Sequence, residues 1–187
     1  MINTPKAGIQ LPVTDAEPTT KPTIILVMGV SGSGKTTIGA MLAGRLGWEY
    51  AEADDFHPAS NVEKMRAGHP LTDEDRWPWL HRISDWIAEH LATGTPAVVT
   101  CSALKKKYRD LLRRPEVRIV YLDIDPEVLT RRMAARHGHF FPAKLLESQL
   151  RDLEPPTPDE GALCVRADGP AAEIVQKIIK ELGLYEA

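Results

Sequence analysis

The sequence predicts an α/β fold in which a parallel β-sheet is covered by helices on both faces. Five predicted strands, mostly short apolar runs but with a weakly patterned second one over 48–53, alternate along the chain with segments of helical periodicity. Between the first apolar run and the first helical segment stands Gly29-Val30-Ser31-Gly32-Ser33-Gly34-Lys35-Thr36, which fits the phosphate-binding loop pattern. Because ligands of such sheets bind beyond the carboxyl ends of the strands, we expect the functional site there.

The phosphate-binding loop occupies the context that its chemistry needs. The apolar run 23–28 leads into it, and 37–46 follows with its apolar residues on one helical face. Glycines allow several backbone N–H groups to converge on one anion, and a helix N-terminus adds a positive field. Lys35 is expected to reach the outer phosphates, and the Thr36 hydroxyl is expected to bind Mg²⁺. The alternative is a glycine-rich turn that binds nothing. The nucleotide-binding candidates here are Gly29, Ser31, Gly32, Ser33, Gly34, Lys35, Thr36 and Thr37.

The remaining elements follow from hydrophobic spacing and from helix start and stop signals. Thr72 or Asp73 can cap the longest helix, whose Pro78 is tolerable only near a helix start. The predicted strands are 48–53, 97–101, 117–122 and 163–165. The predicted helices are 57–68, the long helix from 72 to about 93, 104–114, 126–136, 143–153 and 171–182.

Length and composition indicate one globular domain. The 187 residues contain 43% hydrophobic and 26% charged residues, and the net charge of −3 gives no reason to expect nucleic acid as a partner. No apolar stretch approaches the roughly 20 residues that span a bilayer, so no membrane association is expected. We interpret 1–22, with four prolines, as a flexible extension and 23–187 as a single domain. Cys101 and Cys164 are expected to be buried free thiols in a reducing cytosol.

Asp54 is the best candidate for the carboxylate near the metal and the acceptor, because it ends the second predicted strand. In phosphoryl transfer such a carboxylate orients the attacking hydroxyl and accepts its proton. The alternative is that Asp54 caps the helix that follows, a role that Asp55 could equally fill. The sequence has no Asn-Lys-x-Asp motif, which argues against a GTPase.

Two basic stretches lie near the predicted cleft. Arg131, Arg132 and Arg136 precede a break in helical pattern, where a mobile segment could close them over a nucleotide; otherwise they form a solvated basic face. The second stretch contains Lys105, Lys106, Lys107 and Arg109, of which at least two must face solvent. Ser102 and Lys105 are nearest the strand end and could meet an anionic or hydroxylated substrate, although a solvated helix face is an equal alternative.

Several longer strings of residues distinguish the chain from other proteins that have a phosphate-binding loop. It resembles the gluconokinase family from about residue 23 to the C-terminus. The strings that carry the resemblance are the phosphate-binding loop, Asp54 with His57-Pro58 and Asn61, Lys64-Met65, 70–80, 101–113 and Gly138-His139-Phe140-Phe141.

The resemblance implies a cytoplasmic enzyme, often a homodimer, that transfers the γ-phosphoryl of ATP to the 6-hydroxyl of D-gluconate and so feeds carbohydrate-acid metabolism. It also implies a three-layer α/β/α P-loop kinase fold, sheet order 2-3-1-4-5, and a lid at about 131–142. By similarity Lys35, Asp54 and Arg136 are catalytic, and Mg²⁺ binds at Thr36. Arg132 and Arg136 are the paired lid arginines, and Asp168 borders adenine. Gluconate would be bound by Asp54, His57, Arg76, Ser102, Lys105 and His139.

The chain departs from the family pattern at one place, and two alternative functions remain open. Family members usually place Asp-Gly before the acceptor aspartate, whereas this chain has Glu52-Ala53, which weakens any assignment of Glu52 to substrate and leaves Asp54 untouched. Another small-molecule kinase of the same fold, such as one for shikimate, would also tolerate a basic cleft. A nucleotide-binding regulator without an acceptor is the alternative outside enzymes.

Overall fold

The structure is a computed structural model that describes residues 22–135 and 143–187. It contains five strands and seven helices in these residues. The strands are β1 Ile24–Met28, β2 Glu49–Glu52, β3 Ala97–Thr100, β4 Val117–Asp123 and β5 Leu163–Arg166. The helices are α1 Lys35–Leu46, α2 Ala59–Arg66, α3 Asp73–Thr93, α4 Lys106–Leu112, α5 Pro126–Ala135, α6 Ala143–Asp152 and α7 Ala171–Glu181. Short 3₁₀ turns occupy Ala53–Phe56 and Pro158–Glu160.

The five strands form one parallel sheet in the order β2-β3-β1-β4-β5, which confirms the predicted fold class and strand order. Strand β1 is central, and Leu26 pairs with Val99 on one side and with Ile119 on the other. All five of its side chains are buried. The carboxyl end of β1 therefore delivers the phosphate-binding loop to the middle of the sheet edge.

Side chains alternate along each strand and build a separate apolar core on each face of the sheet. One core joins Ile25, Val27 and Val120 to α1 and α7, whereas the other joins Leu26 and Val99 to α3 and α4. This double coverage explains why the inner strands β1 and β3 appear in the sequence as continuous apolar runs. No helix in the described ranges is both long enough and apolar enough to cross a membrane.

The structure differs from the sequence prediction after β2. Instead of one helix over 57–68, a 3₁₀ turn ends at Phe56, and α2 begins at Ala59 after Pro58. The restriction that Pro58 places on His57 explains the break, because the residue before proline avoids helical geometry. In α3, Thr72 provides the predicted cap, and its Oγ1 accepts a hydrogen bond from the Asp75 N–H.

The prediction that both cysteines are buried is wrong for one of them. Cys101, which follows β3 in the middle of the sheet, is buried, whereas Cys164 is exposed. Strand β5 stands at the sheet edge, so one of its faces lacks the cover that inner strands receive.

Arg109 departs from the interpretation of its basic stretch as a largely solvated face. Its side chain is 0% exposed and forms a two-pronged ion pair with Glu160, with Nε–Oε1 at 2.6 Å and Nη2–Oε2 at 3.2 Å. Its Nη1 also donates to the carbonyls of Ala103 and Leu104. Ala103 has a φ of 44°, a left-handed conformation that costs a non-glycine residue free energy. The buried pair thus holds the strained segment that follows β3.

Glu160→Gln should lower the free energy of unfolding by about 3–5 kcal/mol, because the buried guanidinium loses its compensating charge. Glu173→Gln, on the exposed face of α7, is the matched control and should change it by less than about 0.5 kcal/mol. Urea unfolding followed by circular dichroism measures both. Equal stability of the two variants would contradict the structural role of the pair.

Candidate active site

Residues of the phosphate-binding loop line two cavities that have no lining residue in common. Gly32, Ser33 and Gly34 line the first, with a volume of about 240 Å³. Ser31 and Lys35 line the second, with a volume of about 280 Å³. We call them the donor cavity and the acceptor cavity. The loop therefore separates a space for one ligand from a space for another, as group transfer between two substrates requires.

The loop backbone fits an anion. Gly32 has a φ of 83°, a conformation that strains any residue with a side chain, and a Cβ there would lie 2.9 Å from Leu129 and 2.8 Å from Met133. Gly34, with a φ of 98°, directly precedes the N-terminus of α1. The Ser33 Oγ is buried and has no hydrogen-bond partner within the described residues. A buried hydroxyl without a partner is costly, and a phosphate oxygen would satisfy it.

Lys35 and Thr36 begin helix α1 directly behind the loop. The Lys35 Nζ donates to the carbonyls of Gly29 at 2.9 Å and Val30 at 3.0 Å, which curls the side chain back over the loop. Thr36 lies in the first turn of α1 and is exposed, so a metal ion at its hydroxyl can keep most of its waters. That arrangement fits Mg²⁺, which is held by few protein ligands together with phosphates.

The donor cavity has the residues expected for a nucleotide on its walls. Thr37 and Arg132 line it, and the Arg132 Nη2 donates to the carbonyl of Ala167 at 3.0 Å. Ala167 and Gly169 border the cavity, whereas the Asp168 carboxylate between them accepts from Arg166 at 2.6 Å. The backbone around Asp168, more than its side chain, forms this wall.

The acceptor cavity brings four predicted site residues together with Lys35. These are Asp54, His57, Arg76 and Ser102. Asp54 lies in the 3₁₀ turn after β2 and is exposed. The alternative that Asp54 or Asp55 caps α2 is not supported, because Pro58 holds the cap position and no side chain bonds there.

Arg76 provides the buried cation of the acceptor cavity, with only 7% of its surface exposed. Its Nη1 donates to the Tyr108 hydroxyl at 2.8 Å and to the Asp152 carboxylate at 3.1 Å. Both partners share one nitrogen, so the ion pair fixes the guanidinium in place while its remaining edge can meet a ligand.

His57 is held flat against the indole of Trp79, with ring centroids 4.2 Å apart and planes 13° from parallel. The Trp79 Nε1 donates to the Ala53 carbonyl at 2.6 Å, which fixes the indole. Burial lowers the pKa of His57 from 6.5 to about 4, with Asp54 opposing the shift and Arg76 adding to it. The imidazole is therefore neutral at physiological pH.

Lys105 does not line the acceptor cavity; its Nζ donates to Asp73 at 3.1 Å. Asp73 also accepts from Lys107 and Tyr108, and these hydrogen bonds lower its pKa, with Lys107 contributing most.

The Glu52 carboxylate accepts a hydrogen bond from the nearby Tyr50 hydroxyl at 2.9 Å. The predicted site residues Arg136 and His139 lie outside the described residues.

Sequence reasoning missed one helix face of the site. Gln149 lines the acceptor cavity, and its Oε1 accepts from the Ser31 N–H at 2.8 Å. Asp152, three positions later in α6, holds Arg76. Residues three apart share a helical face, so one side of α6 touches both the loop and Arg76. The available signal was the pair of polar residues, Ser148 and Gln149, within the apolar spacing of 143–153.

Comparisons with known proteins place the chain in a family. A family model described as an AAA domain matches residues 24–156. The gluconokinase of Gluconobacter oxydans is 47% identical over 162 residues, covering 86% of this chain and 91% of that protein. An unliganded sugar kinase from Janibacter superposes with a TM-score of 0.83 at 45% identity, covering 87% of this chain and 95% of the other. A gluconokinase from Sinorhizobium meliloti gives a TM-score of 0.78 at 44% identity, covering 88% and 93%. With this identity over most of its length, the chain belongs to the gluconokinase family of P-loop kinases.

Proposed function

We propose that this chain transfers the γ-phosphoryl group of ATP to the 6-hydroxyl of D-gluconate, giving 6-phospho-D-gluconate. The observation that carries the proposal is the phosphate-binding loop lying between two cavities, one with Arg132 and one with Asp54 and Arg76. A nucleotide-binding regulator would need the donor cavity alone. The acceptor cavity, with a carboxylate and a buried cation, favours an enzyme with an anionic polyol as its second substrate.

On the donor side, the loop amides and the Ser33 hydroxyl would bind the phosphates, with Lys35 following the transferred group. Gly29, Gly32 and Gly34 allow the backbone to approach the phosphates closely. Arg132 and the segment around Asp168 would border adenine. The Thr36 hydroxyl would hold Mg²⁺, which on binding neutralises charge on the phosphates.

On the acceptor side, Arg76 would bind the carboxylate of gluconate, while His57 and Ser102 would hydrogen-bond its hydroxyls. Asp54 would orient the attacking hydroxyl and accept its proton as the bond to phosphorus forms. Lys105, held by Asp73, is the weaker candidate for the carboxylate.

The further parts of the proposal come from the family resemblance. They are a single domain over 23–187 with an extension at 1–22, and a lid at about 131–142 that contains Arg136 and His139. The protein would be a homodimer and would be located in the cytoplasm, where ATP is available. Of the lid, only 131–135 lie in the described residues, and they form the last turn of α5.

The acceptor profile tests the function directly. With ATP and Mg²⁺, kcat/KM for gluconate should exceed that for glucose, shikimate and AMP. Glucose lacks the carboxylate that Arg76 would bind. Shikimate has the acid but a ring in place of an extended chain, and AMP is larger and needs a pocket for its base. Comparable kcat/KM for shikimate or glucose would refute the selectivity for gluconate and leave the kinase assignment standing. Binding of ATP without turnover of any sugar acid would favour the regulator.

Arg76→Met should raise the KM for gluconate by about 30-fold or more, because a buried charge partner of the carboxylate is lost. Lys105→Met should raise it much less, and the exposed Arg118→Met controls for the general loss of one positive charge. Steady-state kinetics with gluconate and with glucose measures the selectivity. A larger effect of Lys105→Met than of Arg76→Met would transfer the carboxylate site to Lys105.

A further inference from the structure

The state of the His57 ring is determined by a neighbour that does not line the acceptor cavity. Asn61, in the first turn of α2, is 3% exposed, and its Nδ2 lies 2.8 Å from the backbone carbonyl of Asp75. The same Nδ2 lies 3.2 Å from the Nδ1 of His57. These two contacts together decide which ring nitrogen of His57 carries the proton.

The carbonyl of Asp75 fixes the orientation of the Asn61 amide. A backbone carbonyl can only accept, so the atom facing it must be the NH₂ group and not the amide oxygen. The NH₂ group has a second hydrogen, which is directed to Nδ1 of His57. Nδ1 must then be the accepting, unprotonated nitrogen of the neutral ring, and the proton resides on Nε2.

We propose that Asn61 is a positioning residue that holds His57 in the neutral Nε2–H form, so that His57 acts as a hydrogen-bond donor to a substrate oxygen in the acceptor cavity. The proposal rests on the proposed function for the identity of the substrate. It gives the cavity complementary groups, because Asp54 accepts from a hydroxyl and His57 donates to one. A polyol oxygen that donates its proton to Asp54 retains lone pairs for such a donor.

The surroundings of His57 support a neutral ring. One face of the ring stacks on Trp79 and its Nδ1 edge meets Asn61. The charged groups that act on the ring are Asp54 from the turn after β2 and Arg76 from α3. These two charges oppose each other, and burial is the larger influence. A hydrogen bond from Asn61 to Nδ1 further favours the neutral form, since a protonated Nδ1 could not accept it.

Nitrogen NMR of the uniformly ¹⁵N-labelled full chain tests the proposal without any substrate. Two-bond ¹H–¹⁵N correlations should show His57 as the Nε2–H tautomer at pH 7 and still neutral at pH 5.5, with the signals assigned by their loss in His57→Gln. An Nδ1–H tautomer, or a protonated ring at pH 7, would overturn the proposal. Failure of the enzyme to phosphorylate gluconate would overturn the proposed function and leave this measurement intact.

A substitution separates positioning from mere support of the fold. Asn61→Asp places a carboxylate at Nδ1, which should draw the proton there, raise the KM for gluconate about tenfold and make that KM vary between pH 5 and 8. In a His57→Gln background, the same substitution should add less than about twofold. An equal rise in KM in both backgrounds would show that Asn61 acts through the fold, and the proposal would fail. If the variant does not fold, the tautomer of the wild type still decides.

Discussion

Lys35→Met should reduce kcat by about 10³-fold or more while the protein remains folded. Phosphoryl transfer spreads negative charge over the oxygens of the moving group, and a fixed cation at that point stabilises the transition state more than the ground state. Lys35 is placed for this role, since it lines the acceptor cavity and its Nζ bonds to the carbonyls of Gly29 and Val30 in the loop. Methionine keeps the length of the side chain and removes the charge.

The measurement pairs kcat for gluconate with circular dichroism and urea unfolding of the same preparation. Lys177→Met, on the exposed surface of α7, is a matched control that should keep wild-type kcat. A Lys35→Met enzyme with kcat within a few-fold of wild type would remove the ATP site from this loop. A variant that lost its circular dichroism signal would instead point to the two loop hydrogen bonds as the main role of Lys35.

The sequence was sufficient for the sheet and for the loop because their signals are local. Apolar strands between helices, with Gly-Lys-Thr at one junction, predicted the parallel sheet and its loop, whereas the strand order came from the family resemblance, and the structure has both. Asp54 could also be predicted from the sequence, since it ends the second predicted strand and ligands bind at the ends of parallel strands. Arg76 needed the resemblance, because a lone arginine on a helix has no sequence signal of its own.

The contacts that hold the site could not be predicted, because they join residues far apart in sequence. Arg109 looks like one member of a basic stretch, and only the fold brings Glu160 to it, 51 positions later. The same is true of Gln149 and Ser31, which are 118 positions apart. The partner of Lys105 was equally hidden in the sequence: Lys105 lies beside the strand end, but its ammonium bonds to Asp73 at the start of α3, and Lys105 does not line the acceptor cavity.

Asp54→Asn should lower kcat for gluconate by about 10²-fold or more and leave ATP binding nearly unchanged. The amide keeps the shape and the hydrogen-bonding reach of the side chain, but it cannot take the proton of the attacking hydroxyl. The position supports this role, because Asp54 lines the acceptor cavity with Lys35 and does not cap α2. Its exposure means that the substitution leaves no buried group without a partner, so stability should stay close to wild type.

The adjacent Asp55 provides the matched control, since it is exposed in the same 3₁₀ turn and does not line the acceptor cavity. Asp55→Asn removes the same charge within one residue, so any general electrostatic effect on ATP or gluconate binding should be shared by the two variants. Only the loss of a base should be specific to Asp54→Asn, and it should lower kcat without a matching rise in KM. Equal kcat values for the two variants would show that Asp54 does not accept the proton of the 6-hydroxyl. In that case solvent or a phosphate oxygen must take the proton, and Asp54 would serve only to orient the hydroxyl.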